Sequence, residues 1–199
     1  MEAFGEGLLI LAGRGRGALR RLTAWAHPRR HPLRLLSLML LLQVPKLWWV
    51  VDVPNPDLFQ KPRFSYVYGW LDLDDHGIFL LLEQDHGLAT VASWFHGDWV
   101  HRNGFYRPLS AVSLWLDYLL WRQRHRGYAL TSWMLQCLTA WLLALLVDRV
   151  LGHALCALLA GVAFSWVWLP SNRMIVQHLS TRIDSLCLVW MLTALLWGL

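Results

Sequence analysis

YALTSWMLQCLTAWLLALLV, residues 128–147, decides the fold class. At about 1.5 Å rise per residue, a helix of this length covers a bilayer core of about 30 Å. A second apolar run, GHALCALLAGVAFSWVWLP at 152–170, is also long enough. Only Asp148, Arg149, Val150 and Leu151 lie between the two. Upstream, LRLLSLMLLLQVPKLWWVV at 33–51 is a third such run. Pro45 permits a kink there, and Lys46 sits near the far end, where a lysine can snorkel. The Trp48–Trp49 pair fits an interfacial anchor. The last run, SLCLVWMLTALLWGL at 185–199, stops in mid-hydrophobe at Leu199, and we read that ending as a truncation.

Composition agrees with a membrane protein. The chain has 199 residues, 56% of them hydrophobic, with a mean hydropathy of +0.37. Fourteen tryptophans exceed ordinary usage, and indole rings favour the membrane–water boundary. The net charge of +5 is then a topology signal rather than a nucleic-acid footprint, because the basic residues flank the apolar runs. Cys137, Cys156 and Cys187 lie in apolar stretches without CxxC spacing, so we read them as small buried hydrophobes, with no disulfide framework or zinc site.

Residues 1–34 carry seven Arg (14, 16, 20, 21, 29, 30 and 34) against Glu2 and Glu6. The positive-inside rule places this segment in the cytoplasm and makes the first run a signal anchor. Residues 52–107 reverse the balance, with eight acids against four Lys or Arg, and so face outward. Five of those acids fall in LDLDDHGIFLLLEQDHG at 71–87. The two DHG copies, 75–77 and 85–87, read as turns. The segment PLSAVSLWLDYLLW at 108–121 is apolar but short, and it holds Asp117. Fourteen residues suit an interfacial or re-entrant helix better than a full span. The cluster RQRHR at 122–126 argues the other way: if 108–121 crosses, that cluster is cytoplasmic and charge counting is satisfied.

Several motifs now fall in a recognisable order. An acidic pair, Asp74–Asp75, lies in the outer loop. SWFHGDW (93–99) and FYRPLSAVSLWLDYLLW (105–121) follow, then a GY start to the next helix (127–128). A later helix ends in Pro170, and STRIDSL (180–186) begins the last one. This pattern resembles the GT-C superfamily of membrane glycosyltransferases. It is most similar to the protein O-mannosyltransferase-like branch, including the enzymes with transmembrane and tetratricopeptide repeat regions. The resemblance covers about residues 60–199, and the YRPLS block with its later Arg-x-Asp is the specific part. Family members have many more spans. They also tend to carry His and Glu in the loop after the proline, which reads PSNRMIVQHLSTRID here, with His178 displaced and the Glu absent.

The resemblance implies a polyprenyl-phosphate sugar donor, a protein or glycan acceptor, and work at the outer face. It implies that an acid in the first outer loop is the catalytic centre, which is Asp75 or Asp74 here. It also places 108–127 outside, and we let it override the charge count. Chemistry suits these residues. A carboxylate can take the proton from an attacking hydroxyl, and arginine can hold phosphate oxygens with its planar fork. Arg107, Arg173 and Arg182, with Asp184, are therefore the candidate substrate-binding residues. Asp184 has a second reading, as a partner for Arg182 near a helix start. His76, His86, His96 and His101 with Asp75, Asp85 and Asp98 offer ligands for a divalent metal ion, but no HExxH or tight pair appears and we assign no metal residue.

We expect an all-α integral membrane protein with about four transmembrane helices plus outer-face juxtamembrane helices, a truncated GT-C fold. The expected organisation is a basic cytoplasmic N-terminus (1–34), spans at 35–53, 128–147, 152–170 and from 185 to 199, an acidic outer loop (54–127) and a second outer loop (171–184). The expected location is a bacterial inner membrane with the active loop facing the periplasm or outside. The expected partners are membrane lipid, the lipid-linked donor and its acceptor, and no nucleic acid. The alternative is a non-catalytic membrane binding or scaffold subunit, or an inactive fragment of such an enzyme. A partner subunit supplying further spans is a further candidate partner.

Overall fold

The computed structural model describes residues 17–18, 20–25, 27, 31–48, 82–97, 106–122, 124–166 and 182–199. Among these the secondary structure is helical, with no strand. Six helices are named in chain order: α1 (Pro32–Gln43), α2 (Leu88–Ser93), α3 (Pro108–Trp121), α4 (His125–Leu151), α5 (Ala154–Trp166) and α6 (Arg182–Gly198).

Helix α4 contains the membrane-length segment. Arg126–Leu151, 26 residues, is long and apolar enough to cross a bilayer, and it is the one such helix among the described residues. The other expected spans are shorter there: α1 has 12 residues, α5 has 13 and α6 has 17. Pro45 explains the first case. A proline lacks the N–H for the helical ladder and its ring crowds the preceding turn. The α-helix stops at Gln43 and a 3-10 turn, Val44–Lys46, follows. Lys46 does not snorkel. It is 1% exposed, and its Nζ donates to Gln136 Oε1 at 3.4 Å.

The chain divides into two compact units. One contains α1, α5, residues 137–151 of α4 and residues 192–199. Its core is Leu35, Met39, Ala140, Ala144 and Leu158, with Trp141 and Val162 packed against it. Small side chains allow close approach here. A Cβ on Gly161 would stand 3.0 Å from Met39 Sδ, 3.1 Å from Ala140 O and 3.3 Å from Ala144 Cβ. Trp141 Nε1 donates to Pro32 O at 2.9 Å, which ties the start of α1 to α4.

The other unit spans residues 44–136 and 168–191. Leu82, Trp94, Ala111, Leu114, Tyr118 and Tyr128 form its core. The second DHG copy is a turn. Asp85 accepts from Gly87 N at 3.0 Å and from the Thr90 hydroxyl, and α2 starts at Leu88. Trp115 Nε1 donates to His86 O at 2.9 Å, holding this turn against α3.

The cysteines depart in part from expectation. Cys137 is buried, whereas Cys156 and Cys187 are exposed. Each exposed thiol sits on a helix with exposed large apolar residues, such as Leu159 on α5 and Trp190 and Met191 on α6. Apolar sequence around a cysteine therefore does not by itself place it inside the protein.

Candidate functional site

The buried polar centre of the second unit is built on α3. Pro108 opens this helix, where its missing N–H costs nothing and its fixed φ suits the first turn. Pro108, Ala111, Leu114, Asp117 and Tyr118 all lie on its buried side. Spacings of three and four residues put them on one stripe. Asp117 thus occupies a core position, and it is 3% exposed.

The turn after α3 carries α4 back toward this stripe. Arg122 ends the helix with φ 50°, in the left-handed region, and its N–H donates to Tyr118 O at 2.9 Å. Tyr128 Oη donates to Arg122 O at 2.8 Å, and the Arg122 guanidinium lies 5.2 Å from the Tyr118 ring centroid. Gly127 leaves room for Trp121. An added Cβ would fall 2.2 Å from Cδ2 and 2.3 Å from Cγ of that ring.

Arg182, the first residue of α6, closes the arrangement. Its Nη1 donates to Asp117 Oδ2 in a buried ion pair. Its Nη2 donates to Tyr128 O at 2.8 Å and to Ser132 Oγ at 3.1 Å. The other carboxylate oxygen of Asp117 accepts from Thr131 Oγ1 at 3.0 Å. Trp121 Nε1 donates to the same hydroxyl at 3.3 Å. One carboxylate and one guanidinium therefore tie α3, the first turns of α4 and the first turn of α6 together. Burial pushes the Asp117 carboxyl up from its ordinary value. The Arg182 charge and the hydrogen bonds from Arg182 and Thr131 oppose that shift without overcoming it.

The sequence candidates fall into three groups. Arg182 is at the buried centre, 1% exposed. Asp184 is exposed in the first turn of α6, while Asp117 holds the guanidinium. Helical geometry explains the choice, since residues two apart on a helix do not face each other. Arg107 is half-buried just before α3. Asp74, Asp75 and Arg173 lie outside the described residues. So do His76, His101 and Asp98 of the metal reading. Among the described residues, no three His, Cys, Asp or Glu side chains come together as a metal site.

Sequence reasoning missed the role of Asp117, Tyr128, Thr131 and Ser132. A signal was present. Tyr128, Ser132 and Gln136 recur every four residues along the apolar helix α4 and are all buried. Such a polar stripe on a membrane-length helix marks a face turned toward other polar groups. Arg182 meets it at Ser132, and Lys46 meets it one turn on, at Gln136.

No family model matches the chain, and neither a curated protein nor a solved structure matches it.

Proposed function

We propose that the chain is a membrane glycosyltransferase that moves a sugar from a polyprenyl-phosphate donor to a protein or glycan hydroxyl. One observation supports this reading beyond the motifs themselves. The two segments with the most specific motifs, FYRPLSAVSLWLDYLLW and STRIDSL, are joined by the buried Arg182–Asp117 ion pair. Motifs that work at one site must be held together, and this pair holds them across 65 residues of sequence. In this reading Arg182 is a positioning residue, since Nη1 and Nη2 both bond to protein.

The proposed chemistry is a single displacement. Asp75 or Asp74 takes the proton of the acceptor hydroxyl. The oxygen bonds to the anomeric carbon, the bond to phosphate breaks, and the configuration inverts. Arg107 and Arg173 hold the departing phosphate. Four spans, an outward active loop and a place in a bacterial inner membrane complete the proposal. The test is transfer of labelled sugar from polyprenyl-phosphate donors in membranes containing the chain. Asp75→Asn or Asp74→Asn is expected to abolish transfer at unchanged protein level. Transfer that survives both substitutions sinks the catalytic assignment.

A non-catalytic scaffold is the second reading. It draws support from the same arginine, because a guanidinium held by a carboxylate, a carbonyl and a hydroxyl serves helix assembly. Absence of transfer by the wild-type chain with every donor, and its appearance on adding a partner subunit, would favour that reading.

A further inference from the structure

The unit that holds α1 and α5 has an open surface pocket that the proposed transfer reaction does not use. Its volume is about 330 Å³, and Arg20, Thr23, Gly152, His153, Ala154 and Leu155 line it. That volume suits a small ligand or a headgroup. The lining is mostly apolar in area, with polar side chains at hand. Arg20 supplies a fixed positive charge, His153 has a ring N–H even when neutral, and Ala154 and Leu155 are apolar.

The local structure presents these groups together. Thr23 Oγ1 donates to Arg20 O at 3.0 Å, which fixes the helical turn over residues 20–25. Gly152 takes φ 65°, and its N–H donates to Asp148 O at 2.8 Å, ending α4 in a tight reversal. His153 O then accepts from Ala157 N at 3.1 Å to start α5, whose positive dipole end adds to the Arg20 charge.

The position matters as much as the groups. Helix α4 is membrane-length and ends at Leu151, so Gly152–Leu155 stand at the lipid headgroup level if α4 crosses. Leu22 and Trp25, on the same helical segment as Arg20, are exposed. Arg34 lies over the Trp25 ring at 5.9 Å. Exposed Leu and Trp beside arginine make an interfacial surface.

We propose that this pocket binds the headgroup of an anionic phospholipid, with Arg20 and His153 on the phosphate oxygens and Leu155 against the glycerol and acyl carbons. Phosphatidylcholine has the same phosphate, but its choline cation would meet the Arg20 charge and the positive end of α5 and be disfavoured. The site rests on the reading that α4 spans a bilayer and is independent of sugar transfer. Free phosphate shares the anionic chemistry but has no apolar portion to meet Leu155.

The full chain is reconstituted in vesicles of phosphatidylcholine with phosphatidylglycerol, and retained lipid is counted by native mass spectrometry. The wild type is expected to retain phosphatidylglycerol in preference to phosphatidylcholine. Arg20→Ala is expected to lower that preference about tenfold, the scale of one charge-assisted hydrogen bond. Arg21→Ala, next to the lining residue, is expected to leave most of it. Equal losses in both variants would show diffuse surface attraction and overturn the site, as would no loss in Arg20→Ala. Displacement of the lipid by millimolar inorganic phosphate would overturn the lipid assignment. Release of the protein from these vesicles by alkaline carbonate would overturn the proposal together with the span; stable insertion without headgroup preference would overturn the site alone.

Discussion

The two units hold their helices by opposite means. One uses Gly161, Ala140 and Ala144, where the absence of side chain allows helices to touch. The other uses a buried carboxylate, a buried guanidinium and the hydroxyls around them. Both solutions would serve a helix pair in lipid, where apolar side chains gain little by leaving lipid for protein. Close packing is short-ranged and tolerates small repacking. A buried ion pair is all-or-none, because losing one partner leaves the other charged and dry.

The first way to break this contrast is to remove one charge. Asp117→Leu is expected to destabilise the protein by about 3–5 kcal/mol, the usual cost of stranding a buried partner. Arg182→Met should cost a similar amount, and the double variant much less than the sum. Denaturation in detergent, run as a double-mutant cycle, measures this. Additive losses would mean that the two residues do not act as a pair.

A smaller effect is expected where volume is added. Gly127→Ala drives a methyl into the Trp121 ring, at a cost of about 1–3 kcal/mol. Gly161→Ala should cost less, since its nearest atoms, Met39 Sδ at 3.0 Å and Ala140 O at 3.1 Å, leave more room than the Trp121 Cδ2 at 2.2 Å from a Cβ on Gly127. Thermal midpoints of the two variants give the order, and the reverse order would show that the close-packed unit is the stiffer.

The smallest effect is expected at Asp85. The Thr90 hydroxyl, and then the Gly87 N–H, hold its carboxyl below the ordinary 3.8. A depressed carboxyl stabilises the fold above its ordinary value, and that contribution is lost as pH falls through the folded value. The turn before α2 should therefore loosen only below pH 3.8. The Gly87 amide shift in an NMR titration reports it, and a midpoint above that value would contradict the hydrogen bonds.

Local features of this fold were legible in the sequence. The bounds of α3 follow from Pro108 and the arginines after Trp121. Helix α4 follows from its length, although it extends beyond 128–147 at both ends. Pro45 was legible as a disturbance, but its strength was not, because a proline in an apolar run can either kink a helix or stop it. The Arg182–Asp117 pair was hidden for another reason. Its partners lie on different helices, and sequence offers Arg182 a nearer acid in Asp184 that helical geometry turns away. The burial of Lys46 was hidden likewise, since its acceptor Gln136 is 90 residues away.

The ion pair also has a consequence for the order of synthesis. Asp117 leaves the ribosome 65 residues before Arg182. At roughly 5–20 residues per second, the acid waits about 3–13 seconds for its counter-ion. During that interval α3 has a carboxylate and no guanidinium to neutralise it. If α4 crosses a bilayer, the nascent α3 needs a wet resting place until α6 emerges, at the bilayer surface or inside the insertion machinery.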